Sequence, residues 1–166
     1  MRQLLILFLT CLAGTSYGQK KISLPVNVLP VRSGILYKPQ AKIGDIRRPV
    51  NGAEISTTQD SCFALTDGLV SAVFDLGDEF ACVVRYSNNL LVTYSGLGNL
   101  NESIEKGQTI RKGRFIGLLN KINDKNILNF MITNQKGINL AFEKIVAFIK
   151  KNMPDKHAGL TLASVY

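Results

Sequence analysis

Short apolar runs separated by turn residues occupy most of the chain after residue 48, and this pattern predicts a sheet of short strands. The predicted strands are Cys62–Leu65, Leu69–Phe74, Ala81–Tyr86, Leu90–Tyr94, Phe115–Leu119 and Ile127–Thr133. Ser87-Asn88-Asn89 suits a tight hairpin turn, because asparagine tolerates a positive φ. We therefore predict a mainly β fold in which the chain doubles back into an antiparallel sheet.

One later segment, within residues 136–153, has helical periodicity instead. Apolar residues recur there at the spacing of one helix face, at Phe142, Ile145, Val146, Ile149 and Met153. The pattern predicts one C-terminal amphipathic helix from Asn139 to Met153, with Asn139 as its N-cap and Pro154 as its stop. Its apolar face can pack on the sheet or meet a partner or membrane, and burial of that face would assign it to the core.

The chain begins with Met1-Arg2, an apolar run from Leu4 to Ala13, and small residues up to Gly18. This order is typical of a secretory signal peptide spanning residues 1–18, and the run is shorter than the ~20 residues that cross a bilayer. We expect an exported protein, periplasmic or extracellular, with no transmembrane segment after cleavage. Residues 19–46 contain three prolines and predict an extended N-terminal segment with one edge strand.

The formal net charge of +8 changes the choice of partners. Outside the cytoplasm, nucleic acid is set aside as a partner, and anionic cell-wall polymers, membrane surfaces or acidic protein patches remain. The basic residues are scattered, so a merely soluble basic surface also fits. The chain has one histidine, His157, which lies in a C-terminal tail of residues 154–166.

Two cysteines, Cys62 and Cys82, follow the predicted signal peptide. An even number in an oxidising compartment makes them a disulfide candidate. Each also lies in an apolar stretch, so two buried free thiols fit the sequence as well. Both alternatives stay open at this point, because the Cα separation that decides between them is not readable from the sequence.

Four segments, in order, resemble the motifs of one known family. Phe63–Val70 resembles its Y-A-a-a-D-G-x-V segment, and Leu91–Leu97 resembles its T-x-Y-x-H-L segment. Ile104–Gly117 is similar to V-x-x-G-q-x-V-x-x-G-q-x-I-G, and Ile127–Ile132 lies where H-L-H-F-E-V is expected. The family is that of the lysostaphin-type, LytM-like peptidoglycan metallopeptidases. The resemblance implies the duplicated hybrid motif of LytM-like domains over residues 47–135, with a shallow groove across one sheet.

The residues that depart from the family pattern are those of its active site. The resemblance puts Val50 and Glu54 at the ligand positions of H-x-G-x-D, Gly96 at the catalytic histidine, and Ile127 and Asn129 at the histidines of H-L-H. Of these, only Glu54 carries a side chain typical of a zinc ligand. The resemblance therefore implies no catalytic residues, no stoichiometric zinc and no cofactor.

Three functions are compatible with such a degenerate domain. The resemblance to EnvC-like murein hydrolase activators implies a non-catalytic module that regulates a cell-wall hydrolase. The alternative is a passive peptidoglycan-binding or structural module of the envelope, and an active zinc endopeptidase is the least supported. The predicted binding groove comprises Glu54, Arg85, Tyr94, Gly96, Ile127 and Asn129, and Asn88 and Asn89 are further candidates that also fit as turn formers.

Overall fold

The computed structural model describes residues 21–24, 30–43, 46–49, 51–86 and 89–152. The predicted signal peptide, the tail with His157, and the positions Val50, Ser87 and Asn88 lie outside the described residues. Within the described part of the chain, no helix has the length and apolar character needed to cross a membrane.

Strands make up most of the described structure. They are β1 Lys21–Leu24, β2 Gly34–Tyr37, β3 Gln40–Ile43, β4 Ile46–Pro49, β5 Ala53–Thr57, β6 Ser61–Phe63, β7 Gly68–Asp75, β8 Phe80–Tyr86, β9 Leu91–Leu100, β10 Thr109–Ile110, β11 Phe115–Leu119, β12 Lys121–Ile122 and β13 Lys125–Thr133. The described helix, α1, spans Phe142–Lys151. All the strand pairs are antiparallel. The predicted mainly β, antiparallel fold with one helix near the C-terminus is confirmed.

The main sheet has two distinct faces. Its strands follow the order β1-β2-β5-β13-β9-β8-β7-β10, with β11 joined to β9 and β6, whereas β3 and β4 form a separate hairpin. Successive side chains of a strand point to opposite faces. In β13 the buried side chains are Asn126, Leu128, Phe130 and Ile132, and those between them are exposed or half-buried. We call the buried side the inner face and the other the outer face.

The helix packs in the core on the inner side. Phe142, Ile145 and Ile149 are buried, and the ring of Phe148 stacks on Tyr86 of β8 with centroids 6.2 Å apart. Burying an apolar side chain of this size contributes about 1.5–3 kcal/mol. The apolar face of α1 therefore belongs to the core, and a partner or membrane role for it is not favoured.

The helix begins later than its sequence periodicity predicts. Asn139 forms a bridge with Thr133, and the Leu140 N–H donates to the Ile132 carbonyl at 2.7 Å, so this stretch lies extended against β13. Asn139 Oδ1 accepts from Thr133 Oγ1 at 2.8 Å, and the N-cap position is Ala141. The predictions of a helix from Asn139 and of Asn139 as its cap are wrong, because pairing with β13 holds that backbone extended.

The N-terminal segment contributes more to the sheet than a single edge strand. β2 pairs with β5, and β1 pairs with β2. Lys38 Nζ, just after β2, lies 3.8 Å from Glu143 Oε1 in the first turn of α1. Residues before the predicted domain boundary at 47 therefore extend the sheet that carries the candidate site.

Candidate functional site

Polar side chains from neighbouring strands form a row across the outer face. Asn129 of β13 lies opposite Glu54 of β5 on one side and Ser95 of β9 on the other, and Tyr37 of β2 lies opposite Glu54. Directly opposite residues have their Cβ atoms about 4.5–5.5 Å apart. Asn129 is exposed, and the other three are half-buried. We call these four residues the polar row. It unites the predicted Glu54 and Asn129 and adds Ser95 and Tyr37, which the sequence analysis missed because pairing register is not visible within one strand.

The position of the family's catalytic histidine is closed to any side chain. Gly96 has φ of +82°, and a Cβ built on it would lie 2.6 Å from the Ile127 carbonyl oxygen and 3.6 Å from Asn129 Nδ2. The β8–β9 register shifts here, with Ala81 opposite Ser95 and Phe80 opposite Leu97, so that Gly96 is the extra residue of a bulge. The backbone at Gly96 therefore leaves no room for a side chain at this position, in addition to the missing imidazole.

The remaining residues at the predicted metal positions do not fit a zinc ion. Ile127 lies opposite Ser56 on the outer face and has no ligand atom, and the Asn129 carboxamide is not among the usual zinc ligands. Among the described residues, no group of three His, Cys, Asp or Glu side chains is placed to hold a metal ion. Glu54 remains as a single carboxylate. The residues at these positions therefore do not supply the donors that a zinc ion requires.

Tyr94, a predicted groove residue, lies on the opposite face of the sheet. Its side chain is 0% exposed, and its ring packs edge-on to Phe130 with centroids 5.3 Å apart. Its hydroxyl forms a short hydrogen bond with the Tyr86 hydroxyl and accepts from the Leu65 N–H at 3.1 Å. Burial raises the pKa of both tyrosines, so both stay protonated. The prediction that Tyr94 lines the groove is wrong, because Tyr94 faces the core.

Replacing Tyr94 with phenylalanine is expected to lower the free energy of unfolding by about 1–3 kcal/mol, since the Tyr86 hydroxyl and the Leu65 N–H lose a buried partner. Urea denaturation of Tyr94→Phe, Tyr86→Phe and the double variant measures this effect. The double variant should lose less than the sum of the single variants, because both single changes break the same contact. Strict additivity would show that the two hydroxyls do not interact.

Arg85 lies on the outer face but outside the polar row. It is four residues along β8 from Ala81, the residue opposite Ser95, a separation of about 13 Å. A shallow depression of about 420 Å³ is lined there by Arg85, Asn89, Leu91, Asn134, Gln135 and Gly137. Asn89 has φ of 57° and so also serves the turn that joins β8 to β9. Apart from Tyr94, the predicted groove residues therefore divide between two separate places on this face.

The two cysteines are buried free thiols in the core. Burial raises the pKa of both, that of Cys82 to about 12, and a charge on Cys82 would raise the pKa of Cys62 further. Of the two alternatives left open by the sequence, the structure has the unbridged pair. Neither thiol is exposed, so neither contributes to the outer face.

No protein-family model matches the sequence, and no curated protein matches it. Solved structures do match. A chain of the SpoIIQ–SpoIIIAH pore forming complex matches 69% of this chain and 78% of its own length, with a TM-score of 0.53 and 18% identity. The solution structure of lysostaphin matches 71% of this chain and 50% of its own length, with a TM-score of 0.52 and 14% identity. The catalytic domain of the prophage-encoded M23 protein EnpA from Enterococcus faecalis matches 75% of this chain and 91% of its own length, with a TM-score of 0.50 and 12% identity.

At such identities the likeness shows the fold alone. The chain has the lysostaphin-type, LytM-like fold that its four motifs predict, and it is similar both to peptidase domains and to a chain of a two-protein complex.

Proposed function

We propose that this chain is an exported, non-catalytic LytM-like module whose outer face binds a protein of the cell envelope and thereby regulates a peptidoglycan hydrolase. One observation carries the proposal. The strands that carry the corresponding positions, β5, β13 and β9, pair with one another, but Gly96 is sterically closed and Ile127 offers no ligand. A sheet face that lacks the catalytic groups of the family can still bind a partner, since function depends on the site and not on the fold.

The chemistry of the outer face supports a protein partner. Phe74 of β7, opposite Ala81, extends the line of the polar row and is 49% exposed. Ile35 of β2 lies opposite Ser56, beside that row, and is 39% exposed. Exposed aromatic and aliphatic side chains flanking amide and hydroxyl groups are typical of the anchors and polar contacts of protein interfaces. A similar fold in a chain of the SpoIIQ–SpoIIIAH complex supports the same choice of partner class.

A passive peptidoglycan-binding or structural module is the second candidate. The observation that favours it is the shallow depression beside Arg85, where three amide side chains and one guanidinium converge. Such groups hydrogen-bond well to the amides and hydroxyls of a glycan–peptide polymer. An active zinc endopeptidase has no comparable support, because the donors that zinc requires are not at its positions.

One assay separates the two candidates. The protein is added to dye-labelled peptidoglycan sacculi with and without a purified cell-wall amidase. Dye release that requires both proteins supports regulation of a hydrolase. Cosedimentation of the chain with sacculi, without any stimulated release, supports passive binding and would overturn the proposal.

Ile35→Glu is expected to reduce the stimulated dye release at least tenfold, because it places a charge in the apolar border of the polar row. The matched control is Leu118→Glu on β11, which lies away from the polar row. Leu118 is 40% exposed and Ile35 is 39% exposed. Both variants should unfold at similar urea concentrations, so that a difference in release reports binding. An equal loss of stimulated dye release in both variants, or no loss in either variant, would argue against an interface on the outer face.

A further inference from the structure

A second concave site lies away from the polar row, where the segment leading into β10 meets the β10–β11 turn. The depression has a volume of about 210 Å³ and is lined by Ile104, Gln108, Thr109, Ile110, Arg111 and Arg114. Ile104 and Ile110 are core residues, 4% and 1% exposed, and give it a rigid apolar floor. Its volume is below the 300–1,000 Å³ typical of drug-sized ligand sites, so it suits a small group or the end of a chain.

Two guanidinium groups give this depression a positive charge. Arg111 and Arg114 stand at the two ends of one tight turn, closed by the Arg114 N–H donating to the Arg111 carbonyl at 3.0 Å. In the part of the chain that the structure describes, no carboxylate forms an ion pair with either residue. Arg114 occupies the place where the resembling family motif has glutamine, so part of this charge is a departure of this chain from the motif.

The Arg114 side chain is held in place by its neighbours. Its Nη2 donates to Ser103 Oγ at 2.7 Å, and Ser103 Oγ donates to Asn101 Oδ1 at 2.6 Å. A guanidinium that is already oriented loses less conformational entropy when it binds an anion. Its remaining N–H groups can present the planar fork that matches a carboxylate.

Gln108 is the second feature of this depression that points to a ligand. Its Oε1 is buried and has no hydrogen-bond partner among the described residues. A buried acceptor without a donor is unfavourable, and such groups in folded proteins call for an explanation. A ligand that brings an N–H donor next to an anionic group would satisfy Gln108 Oε1 and the guanidinium groups together.

We propose that this depression binds the free carboxyl terminus of a short peptide. The terminal carboxylate lies against Arg111 and Arg114, and the amide N–H of the last residue donates to Gln108 Oε1. A small side chain on that residue rests on Ile104 and Ile110. The site is separate from the outer face, so its success or failure leaves the proposed regulatory surface untouched.

Calorimetric titration and amide chemical-shift mapping of the purified protein test the proposal with three probes: acetyl-Ala-Ala as the free acid, the same peptide as its C-terminal amide, and inorganic phosphate. The free acid is expected to shift signals of residues 104–114 and to bind at least tenfold more tightly than the amide, since the amide loses the charge-assisted hydrogen bonds. Phosphate binding that equals or exceeds that of the free acid would reduce the site to a general anion site and overturn the peptide assignment. No saturable binding of the free acid would overturn it outright.

Three variants locate the effect. Arg114→Gln, which introduces the residue type of the family motif at an exposed position, should weaken binding of the free acid at least tenfold. Gln108→Leu should weaken the free acid more than phosphate, because only the peptide brings an N–H donor. Lys144→Gln removes the same charge from the exposed side of α1 and should change neither affinity. Equal weakening by Lys144→Gln and Arg114→Gln would show that net charge, and not this site, governs binding.

Discussion

Replacing Gly96 with alanine is expected to lower the free energy of unfolding by about 2–4 kcal/mol. Part of this loss is the cost of holding a residue with a Cβ at φ of +82°. The rest arises because the new Cβ would lie 2.6 Å from the Ile127 carbonyl oxygen, which cannot retreat without disturbing the pairing of β13 with β5. Urea denaturation of both proteins measures the difference.

Gly77→Ala is the matched control for this effect. Gly77 also has a positive φ, of +89°, but a Cβ built there meets no atom within 4 Å. The decrease in the free energy of unfolding for Gly77→Ala should therefore be confined to the backbone cost of about 1–2 kcal/mol. Similar losses in the two variants would show that the position of Gly96 is open to a side chain.

Raising the pH from about 8 to about 10 under reducing conditions is expected to lower the free energy of unfolding by about 3–4 kcal/mol. Burial raises the pKa of Cys62 and Cys82 in the folded chain, to about 12 for Cys82, whereas an unfolded cysteine has a pKa of about 8.5. The stabilisation is fully present below the unfolded pKa and is lost as the pH rises through it towards the folded pKa. In this window the unfolded chain releases two protons that the folded chain retains, at about 1.4 kcal/mol per proton and pH unit.

The double variant Cys62→Ala, Cys82→Ala should remove most of this pH dependence. The double variant still contains Tyr86 and Tyr94, and burial raises the pKa of both. Their contribution to the pH dependence of the free energy of unfolding begins only near the unfolded tyrosine pKa of about 10. Urea denaturation at several pH values measures the slope for each protein. A parent protein whose free energy of unfolding does not change between these pH values would contradict two buried thiols with raised pKa values.

Strong local patterns predicted the strands well. Leu69–Phe74 and Ala81–Tyr86 lie within β7 and β8, and Ile127–Thr133 forms most of β13, because apolar alternation and flanking turn residues act over a few neighbouring positions. The prediction for the start of α1 failed for the opposite reason. Residues before Phe142 pair with β13, and that contact depends on a strand whose position the helical spacing does not report.

The candidate site was predicted only in part. Glu54 and Asn129 do lie side by side, but Tyr94 faces the core and Arg85 lies elsewhere on the sheet. The alternation in β9 already carried a signal for Tyr94, because Thr93 and Ser95 are polar whereas Val92 and Tyr94 are not. The place of Tyr94 in the family motif put it in the groove, whereas the alternation of β9 puts it on the core face. The structure agrees with the alternation.

The amino-acid sequence by itself determined that a single histidine cannot build the family's zinc site, and its local periodicity determined most of the strands. Only the tertiary structure decided that Gly96 is closed by the Ile127 carbonyl, that Tyr37 and Ser95 complete the polar row, and that Arg114 and Gln108 share one depression. The physical reason is that ligand chemistry belongs to individual side chains. Strand register, bulges and concave surfaces, by contrast, arise from contacts between segments that are distant along the chain.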